Sequence, residues 1–364
     1  MERFHDSGFT HPDRTRGRGA KSNASSRYEP TARIAFDDGW SNLDEDPPVL
    51  RTEVQVDTSR SIIATNKSPD IPFDQSINPY RGCEHGCIYC YARPTHAWLG
   101  LSPGLDFESR LFYKPDAAAL LEKELSNPRY KPKLIALGTN TDPYQPVERR
   151  YELMRGILEV LDRFQNPVGI VTKSCLVMRD IDILSRMAGR NQVRVYVSVT
   201  TLDRHLARKM EPRASTPDRR LDAIKALADA GIPVGMMVAP IIPGLTDHEM
   251  EAVLEAGRAA GAEDAGYVML RLPLEIKTLF EEWLHEAVPM RAERVLSLVR
   301  EVRGGQLNNT EWGTRMRGTG PYAALIAKRF ETAKNRLGFP GLHTGLDISA
   351  FRRPPKAGDQ LSLF

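Results

Sequence analysis

The stretch "NPYRGCEHGCIYCYARPT" sets Cys83, Cys87 and Cys90 in C-x₃-C-x₂-C spacing. Three thiolates in one short loop can hold three irons of a cubane [4Fe–4S] cluster, whose usual complement is four cysteines. The chain's fourth cysteine, Cys175, stands far off in sequence, which would leave one iron open for a small ligand. Gly82 and Gly86 let the backbone bend closely around a bulky group. Tyr89, just before the last cysteine, could pack a flat ligand beside it. A second reading of the same loop is a Cys₃His zinc site using His85 or His96. A body of this size has no need of a zinc staple, which favours the cluster. Four cysteines in 364 residues do not make a disulfide framework.

Such a loop needs a scaffold. From about 75 to 300, short β-branched runs alternate with longer amphipathic stretches. Strands are expected at 133–138, 167–173, 193–199, 232–239 and 266–271, with a first strand just before Cys83. Helices are expected at 116–126, 147–164, 179–188, 218–230, 246–260 and 274–286. Strict alternation with near-continuously apolar strands implies an α/β fold with a parallel sheet and helices outside. About six βα units give an incomplete (β/α)₆ TIM-like barrel, since a closed eight-unit barrel needs more chain. Two further helices, 289–303 and 321–337, supply a C-terminal helical extension.

The expected organisation is a mostly disordered leader over 1–60, a core over 61–300, the extension over 301–345 and a tail over 346–364. The leader is rich in Arg, Ser, Asp, Gly and Pro, with one ordered piece expected near "TARIAF". Its "GRGAKS" (17–22) lacks the Gly-Lys-Ser/Thr end and the preceding strand of a phosphate loop.

Chemistry in parallel βα folds sits at the carboxyl ends of strands. Gly138–Asp142, Lys173–Cys175 and Pro240–Asp247 all fall there. The net charge of +3 permits contact with nucleic acid without arguing for it. Met1–Arg18 is polar, unlike a signal peptide, and no run approaches the roughly 18 apolar residues of a membrane span. The expectation is a soluble, cytoplasmic protein with no membrane partner.

The cysteine loop, its aromatic and its place after the first strand resemble the radical S-adenosylmethionine (SAM) superfamily. "GTNTDPYQPVE" (138–148), "TKSCLVMRDIDIL" (172–184), "EPRASTPDRRLDAIKALADAGIPV" (211–234) and "APIIPGLTD" (239–247) are similar to the branch grouped with spore photoproduct lyase. The resemblance implies a lyase or DNA-repair-like enzyme in which the cluster's open iron chelates SAM, and reduction releases a 5′-deoxyadenosyl radical. It implies that Cys83, Cys87 and Cys90 bind the cluster, with Tyr89 beside the cofactor. Thr139, Thr141 and Asp142 would line the methionine end, and Lys173 and Ser198 would meet the carboxylate or ribose. Arg213 would pair the carboxylate, while the Val238–Pro240 backbone would flank the adenine. Each has a plainer reading: Asp142-Pro143 as a turn starter, Ser198 as a strand neighbour, Arg213 as a surface charge.

One departure stands out. Spore photoproduct lyase resembles this chain in the "GTNTD" segment but carries there a cysteine that returns hydrogen to the product radical, where this chain has Thr139 and Asn140. Cys175, one strand later, is the candidate hydrogen donor, or else a small buried apolar side chain. Tyr91 and Tyr144 are further redox-capable phenols. Arg315 and Arg317, among glycines before a helix at Pro321, read either as a phosphate site or as ordinary loop chemistry.

The last five residues, "QLSLF", resemble the motif by which bacterial replication and repair proteins bind the DNA sliding clamp. Gln360 would reach a polar pocket while Leu361, Leu363 and Phe364 fill an apolar groove. The alternative is that they pack on the protein's own surface. The partners implied are nucleic acid, DNA before RNA, the sliding clamp, and an electron donor such as flavodoxin or ferredoxin. Two other functions fit parts of the pattern: a radical SAM enzyme modifying tRNA or protein, and a non-catalytic zinc-bearing adaptor bound to the clamp.

Overall fold

A computed structural model describes residues 15–29, 50–342 and 345–355. "TARIAF" and the residues Gln360, Leu361, Leu363 and Phe364 lie outside the described residues.

Strands β1 (Glu53–Val56), β2 (Ile63–Thr65), β3 (Gln75–Ile77), β4 (Tyr80–Arg81) and β5 (Arg110–Tyr113) occupy the first third. Strands β6 (Ile135–Leu137), β7 (Val168–Thr172), β8 (Val193–Ser198), β9 (Val234–Ile241) and β10 (Asp264–Met269) follow. A seven-stranded sheet runs β10-β9-β8-β7-β6-β3-β2. Its strands from β3 to β10 are all parallel, and only β2 is antiparallel. Six parallel strands in chain order match the expected partial barrel.

Helices α1 (Asp106–Ser109), α2 (Ala117–Leu125), α3 (Glu148–Tyr151), α4 (Leu153–Phe164), α5 (Ile181–Ala188) and α6 (Arg204–Met210) connect the first strands. Then come α7 (Pro217–Asp229), α8 (Met250–Ala259), α9 (Ile276–Ala287), α10 (Ala292–Glu301) and α11 (Gly320–Arg336). The patterning explains the layers. In β8, Val193, Val195 and Val197 are fully buried while Arg194 and Tyr196 between them are partly exposed. In α4, Met154, Ile157, Leu158, Leu161 and Phe164 repeat at helical spacing and all face the sheet. Each such aliphatic side chain contributes roughly 1.5–3 kcal/mol by leaving water.

Three expectations need correction. The strand nearest Cys83, β4, pairs with β5 in a separate three-stranded sheet, so the first barrel strand is β3. The single helix expected over 147–164 is two, because Glu152 adopts φ 50° between them. The buried carboxylate of Glu148 causes the break: it accepts the N–H groups of Leu153 (3.1 Å) and Met154 (3.0 Å), capping α4 afresh. The leader, expected to be mostly disordered, contributes an ordered strap at 15–29. Glu108, wholly buried, accepts the N–H groups of Gly19 (2.9 Å) and Ala20 (2.8 Å). A Cβ on Gly19 would meet the Gly86 carbonyl oxygen at 1.8 Å. Low hydrophobicity hid this strap, because backbone hydrogen bonds hold it more than apolar side chains do.

Candidate active site

The cysteine loop lies at the carboxyl end of the sheet and is gripped from three sides. From behind, the buried Arg93 donates to the carbonyls of Cys87 (2.9 Å), Gly86 (2.9 Å) and Gly104 (2.8 Å) and pairs with Glu108 at 3.0 Å. From the β6 side, Gln145 accepts the Glu84 N–H (2.8 Å) and donates to the Gly82 carbonyl (3.2 Å). From below, Cys83 N–H bonds the Phe107 carbonyl at 2.9 Å. Gly82 (φ 75°) and Gly86 (φ 67°) are obligatory here: a Cβ would strike Phe107 O at 2.7 Å and Glu108 Oε2 at 2.2 Å respectively.

Burial pushes all three loop thiols up, with the Asp142 carboxylate adding to it at Cys83 and the Glu211 carboxylate at Cys87. Left alone, the three would keep their protons. A cationic iron centre is what turns such a set into thiolate ligands, so the donor set suits a cluster. Among the described residues no group of three or more His, Cys, Asp or Glu converges as one metal ion requires. Each imidazole of the Cys₃His zinc reading has one ring nitrogen in use. His85 Nδ1 lies 3.4 Å from Asp142, and His96 Nε2 lies 2.9 Å from the Arg110 carbonyl.

Asp142 is held on several sides. Its carboxylate accepts from Thr172 Oγ1 (2.7 Å), the Lys173 N–H (2.7 Å) and the Tyr144 N–H (2.9 Å). Burial raises its pKa, but the His85 charge and these donors outweigh that and hold the carboxyl at about 2. It therefore ties the β6 and β7 ends to the cysteine loop. Thr141, also buried, donates to the Tyr80 carbonyl at 3.1 Å. Gly138 (φ 85°) lets this loop close over β7, where a Cβ would meet the Val171 carbonyl oxygen at 2.0 Å.

Lys173 faces the loop with its ammonium 5.9 Å from the Tyr89 ring centroid. Burial lowers its pKa, with the Cys87 and Asp142 charges opposing. Among the described residues no carboxylate lies within ion-pair distance of it. Such a cation is suited to an incoming carboxylate. Ser198 is buried at the end of β8, and Val238 and Pro240 lie in β9 beside it.

Other expected residues are occupied differently. Arg213 pairs with Glu84 at 2.7 Å, so it braces the cysteine loop. Cys175 is half-buried against the main core, its N–H on Ser215 Oγ at 2.9 Å. Tyr91 is exposed and its hydroxyl donates to the Thr139 carbonyl. Tyr144 is wholly buried and donates to Asp180 at 3.0 Å. Arg315 is taken up by Asp70 and Ser68, and Arg317 lies 4.1 Å from the Tyr267 ring centroid.

Sequence reasoning missed a buried network behind Tyr89. Glu211 accepts from the Tyr89 hydroxyl, Thr200 Oγ1 (2.8 Å) and Arg220, whose Nη1 also donates to the Ser198 carbonyl at 3.1 Å. Both charges lie inside the "EPRASTPDRR" stretch, yet sequence cannot say which arginine turns inward.

The sequence model of the radical SAM superfamily matches residues 77–257, which span the cysteine loop and the strands just described. An uncharacterized protein of Mycobacterium tuberculosis (strain H37Rv) is 40% identical over 242 residues, covering 65% of this chain and 71% of that protein. The chain belongs to the radical SAM superfamily. An uncharacterized protein of Methanocaldococcus jannaschii is 32% identical over 173 residues, 48% of this chain and 62% of that one. A point variant of spore photoproduct lyase covers 79% of each chain with a TM-score of 0.57 and 19% identity, a likeness of fold. Membership makes this chain a radical SAM enzyme, with a [4Fe–4S] cluster and SAM as cofactors. Among the described residues no helix is long and apolar enough to cross a membrane.

Proposed function

We propose that this radical SAM enzyme acts on nucleic acid, DNA first, with lesion repair as the closest chemistry. Cys83, Cys87 and Cys90 hold the cluster. When bound, the cluster would supply one-electron reduction of SAM, the chemistry that opens hydrogen abstraction, with flavodoxin or ferredoxin as the kind of donor that would feed it. Lys173, a cation with no carboxylate within ion-pair distance among the described residues, receives the SAM carboxylate, and this observation carries the cofactor part of the reading. Tyr89, fixed by Glu211, offers its ring alongside, and the Val238–Pro240 backbone flanks the adenine. Asp142, Thr139 and Thr141 shape the methionine end. Ser198 sits where the ribose would lie.

The nucleic-acid part is supported by the fold. One spore photoproduct lyase variant of this fold is solved with AdoMet and a dinucleoside spore photoproduct, at TM-score 0.57 and 17% identity. Thr139 and Asn140 stand where spore photoproduct lyase carries its cysteine, and Cys175 is the remaining thiol near the strand ends. Its backbone anchor on Ser215 keeps it at the carboxyl end of β7.

Anaerobically reconstituted protein should carry about four irons and form 5′-deoxyadenosine when reduced with SAM. Cys87→Ala should lose both. A colourless zinc protein, or a loaded cluster that never cleaves SAM, would sink the assignment. The C-terminal Gln360, Leu361, Leu363 and Phe364 are proposed to engage the sliding clamp. Removing residues 360–364 should abolish clamp binding in a pull-down, and undiminished binding would refute it.

A further inference from the structure

The chain is nearly balanced overall, with 50 Lys and Arg against 47 Asp and Glu. A group of its cations nevertheless gathers beside the site. Helix α6 follows β8, at the carboxyl end of the sheet, and its Met210 carbonyl accepts the Ile88 N–H of the cysteine loop at 3.0 Å. Leu206, Ala207 and Met210 point inward, while Arg204, His205, Arg208 and Lys209 are exposed. Spacing of one, four and five residues puts these four on one face. The ordered leader strap stands opposite.

Between strap and helix lies a cavity of about 630 Å³, walled by Arg16, Arg18 and Lys21 on one side and His205, Arg208 and Lys209 on the other. Glu286 is its one acidic lining residue. A second cavity, of about 580 Å³, shares His205, Arg208 and Pro212 with the first. It runs to Glu211, Arg220 and Ser215, the groups that hold Tyr89 and the Cys175 backbone. The two adjoin along His205, Arg208 and Pro212, and the second reaches residues that brace the cysteine loop.

The charge in this tract is only partly neutralised. Lys21 pairs with Glu286 at 2.8 Å and Arg204 with Asp218 at 3.1 Å. Arg18 is spent on neutral acceptors, the carbonyls of Glu108 (2.6 Å) and Leu50 (2.9 Å) and the Thr52 hydroxyl (3.0 Å), which fix the strap. Lys209 Nζ reaches the Ala287 carbonyl at 3.0 Å. Among the described residues no carboxylate lies within ion-pair distance of Arg16, Arg208 or Lys209.

We propose that this tract seats the phosphodiester backbone of a nucleic-acid strand and leads it to the cysteine loop. The inference rests on the nucleic-acid reading above and adds where the strand lies. Cations strung along two walls of an open channel match a line of separated phosphates. A single phosphate would call for donors converging on one point. Contacts of this kind set position and affinity without reading sequence. The field of a channel lined mainly by cations also steers a polyanion inward.

The test uses the full chain with its cluster and a fluorescent single-stranded DNA oligonucleotide, followed by anisotropy across a salt series. The double variant Arg208→Glu, Lys209→Glu should bind at least about tenfold more weakly, its log–log salt slope flatter by about 1.4 for two lost contacts. Arg16→Glu, on the opposite wall and in a different segment, should weaken binding in the same direction. Arg208→Lys with Lys209→Arg keeps the charge and should keep the slope. Iron content on the same samples separates lost contacts from lost fold. If both reversal variants bind like wild type, the tract is refuted while the nucleic-acid reading survives. If wild type binds neither DNA nor RNA, the nucleic-acid reading falls and takes the tract with it. Binding of poly-glutamate as tight as that of the oligonucleotide would mark the tract as a peptide site and overturn the proposal.

Discussion

The two ends of the parallel sheet are built from different materials. At the amino end, Phe351 in the C-terminal segment lies 5.6 Å from the Tyr130 ring and 6.3 Å from the Phe164 ring. Arg352 N–H then bonds the Phe164 carbonyl at 3.0 Å, and Arg353 donates to the Asn127 carbonyl at 3.0 Å. Rings and backbone bonds close that end. At the carboxyl end the buried groups are ionisable pairs: Arg93 with Glu108, Arg220 with Glu211, His85 with Asp142. Buried charges are costly, and hydrophobic replacements often stabilise as well or better. Their concentration at one end therefore marks where geometry matters more than stability.

That contrast can be broken from either side. The largest effect is expected from Arg93→Met, which removes the cation from the buried Glu108 and frees the Gly86 and Cys87 carbonyls of the loop. Losing one member of a buried pair costs on the order of 3–5 kcal/mol, and here iron retention should fall with it. Chemical denaturation and iron analysis check both; a stable variant with full iron would show that the loop keeps its shape unaided.

A smaller effect concerns His96, whose pKa burial lowers to about 4. Unfolded, its imidazole takes a proton near the ordinary 6.5; folded, it stays neutral until about 4. Unfolding thus takes up a proton in that window. Stability is full above pH 6.5 and declines as pH falls toward 4. Between pH 7 and pH 5 the His96 share should amount to about 2 kcal/mol. His96→Asn should remove that slope from urea midpoints, and an unchanged slope would assign it to other groups.

The smallest effect is expected at the other end. Phe351→Ala should cost roughly 1–2 kcal/mol, since the ring is only half-buried. Iron content and SAM cleavage should stay at wild-type levels. A loss of cluster there would show that the two ends are coupled and would undo the comparison.

Much of this was legible beforehand. The strand alternation gave six parallel βα units, because apolar period and turn residues are local properties of sequence. The cysteine spacing singled out the loop for the same reason. Lys173 was also legible as a cation at a strand end. Its neighbours were not. Arg213 is occupied by Glu84, while Arg220, a few residues on, is the one buried on Glu211. The leader looked too polar to order, and the break at Glu152 left no mark in the apolar pattern.

By itself, then, the sequence determined the six βα units of the core and which loop carries the thiols, since both follow from spacing along one chain. Only the tertiary structure decided which charges are spent on each other and which stay unpaired. It paired Glu108 with Arg93 and the leader backbone, and among the described residues left Lys173, Arg208 and Lys209 without carboxylates within ion-pair distance. The reason is physical. Pairing depends on distances of about 3 Å between side chains far apart in sequence, and no local pattern encodes those distances.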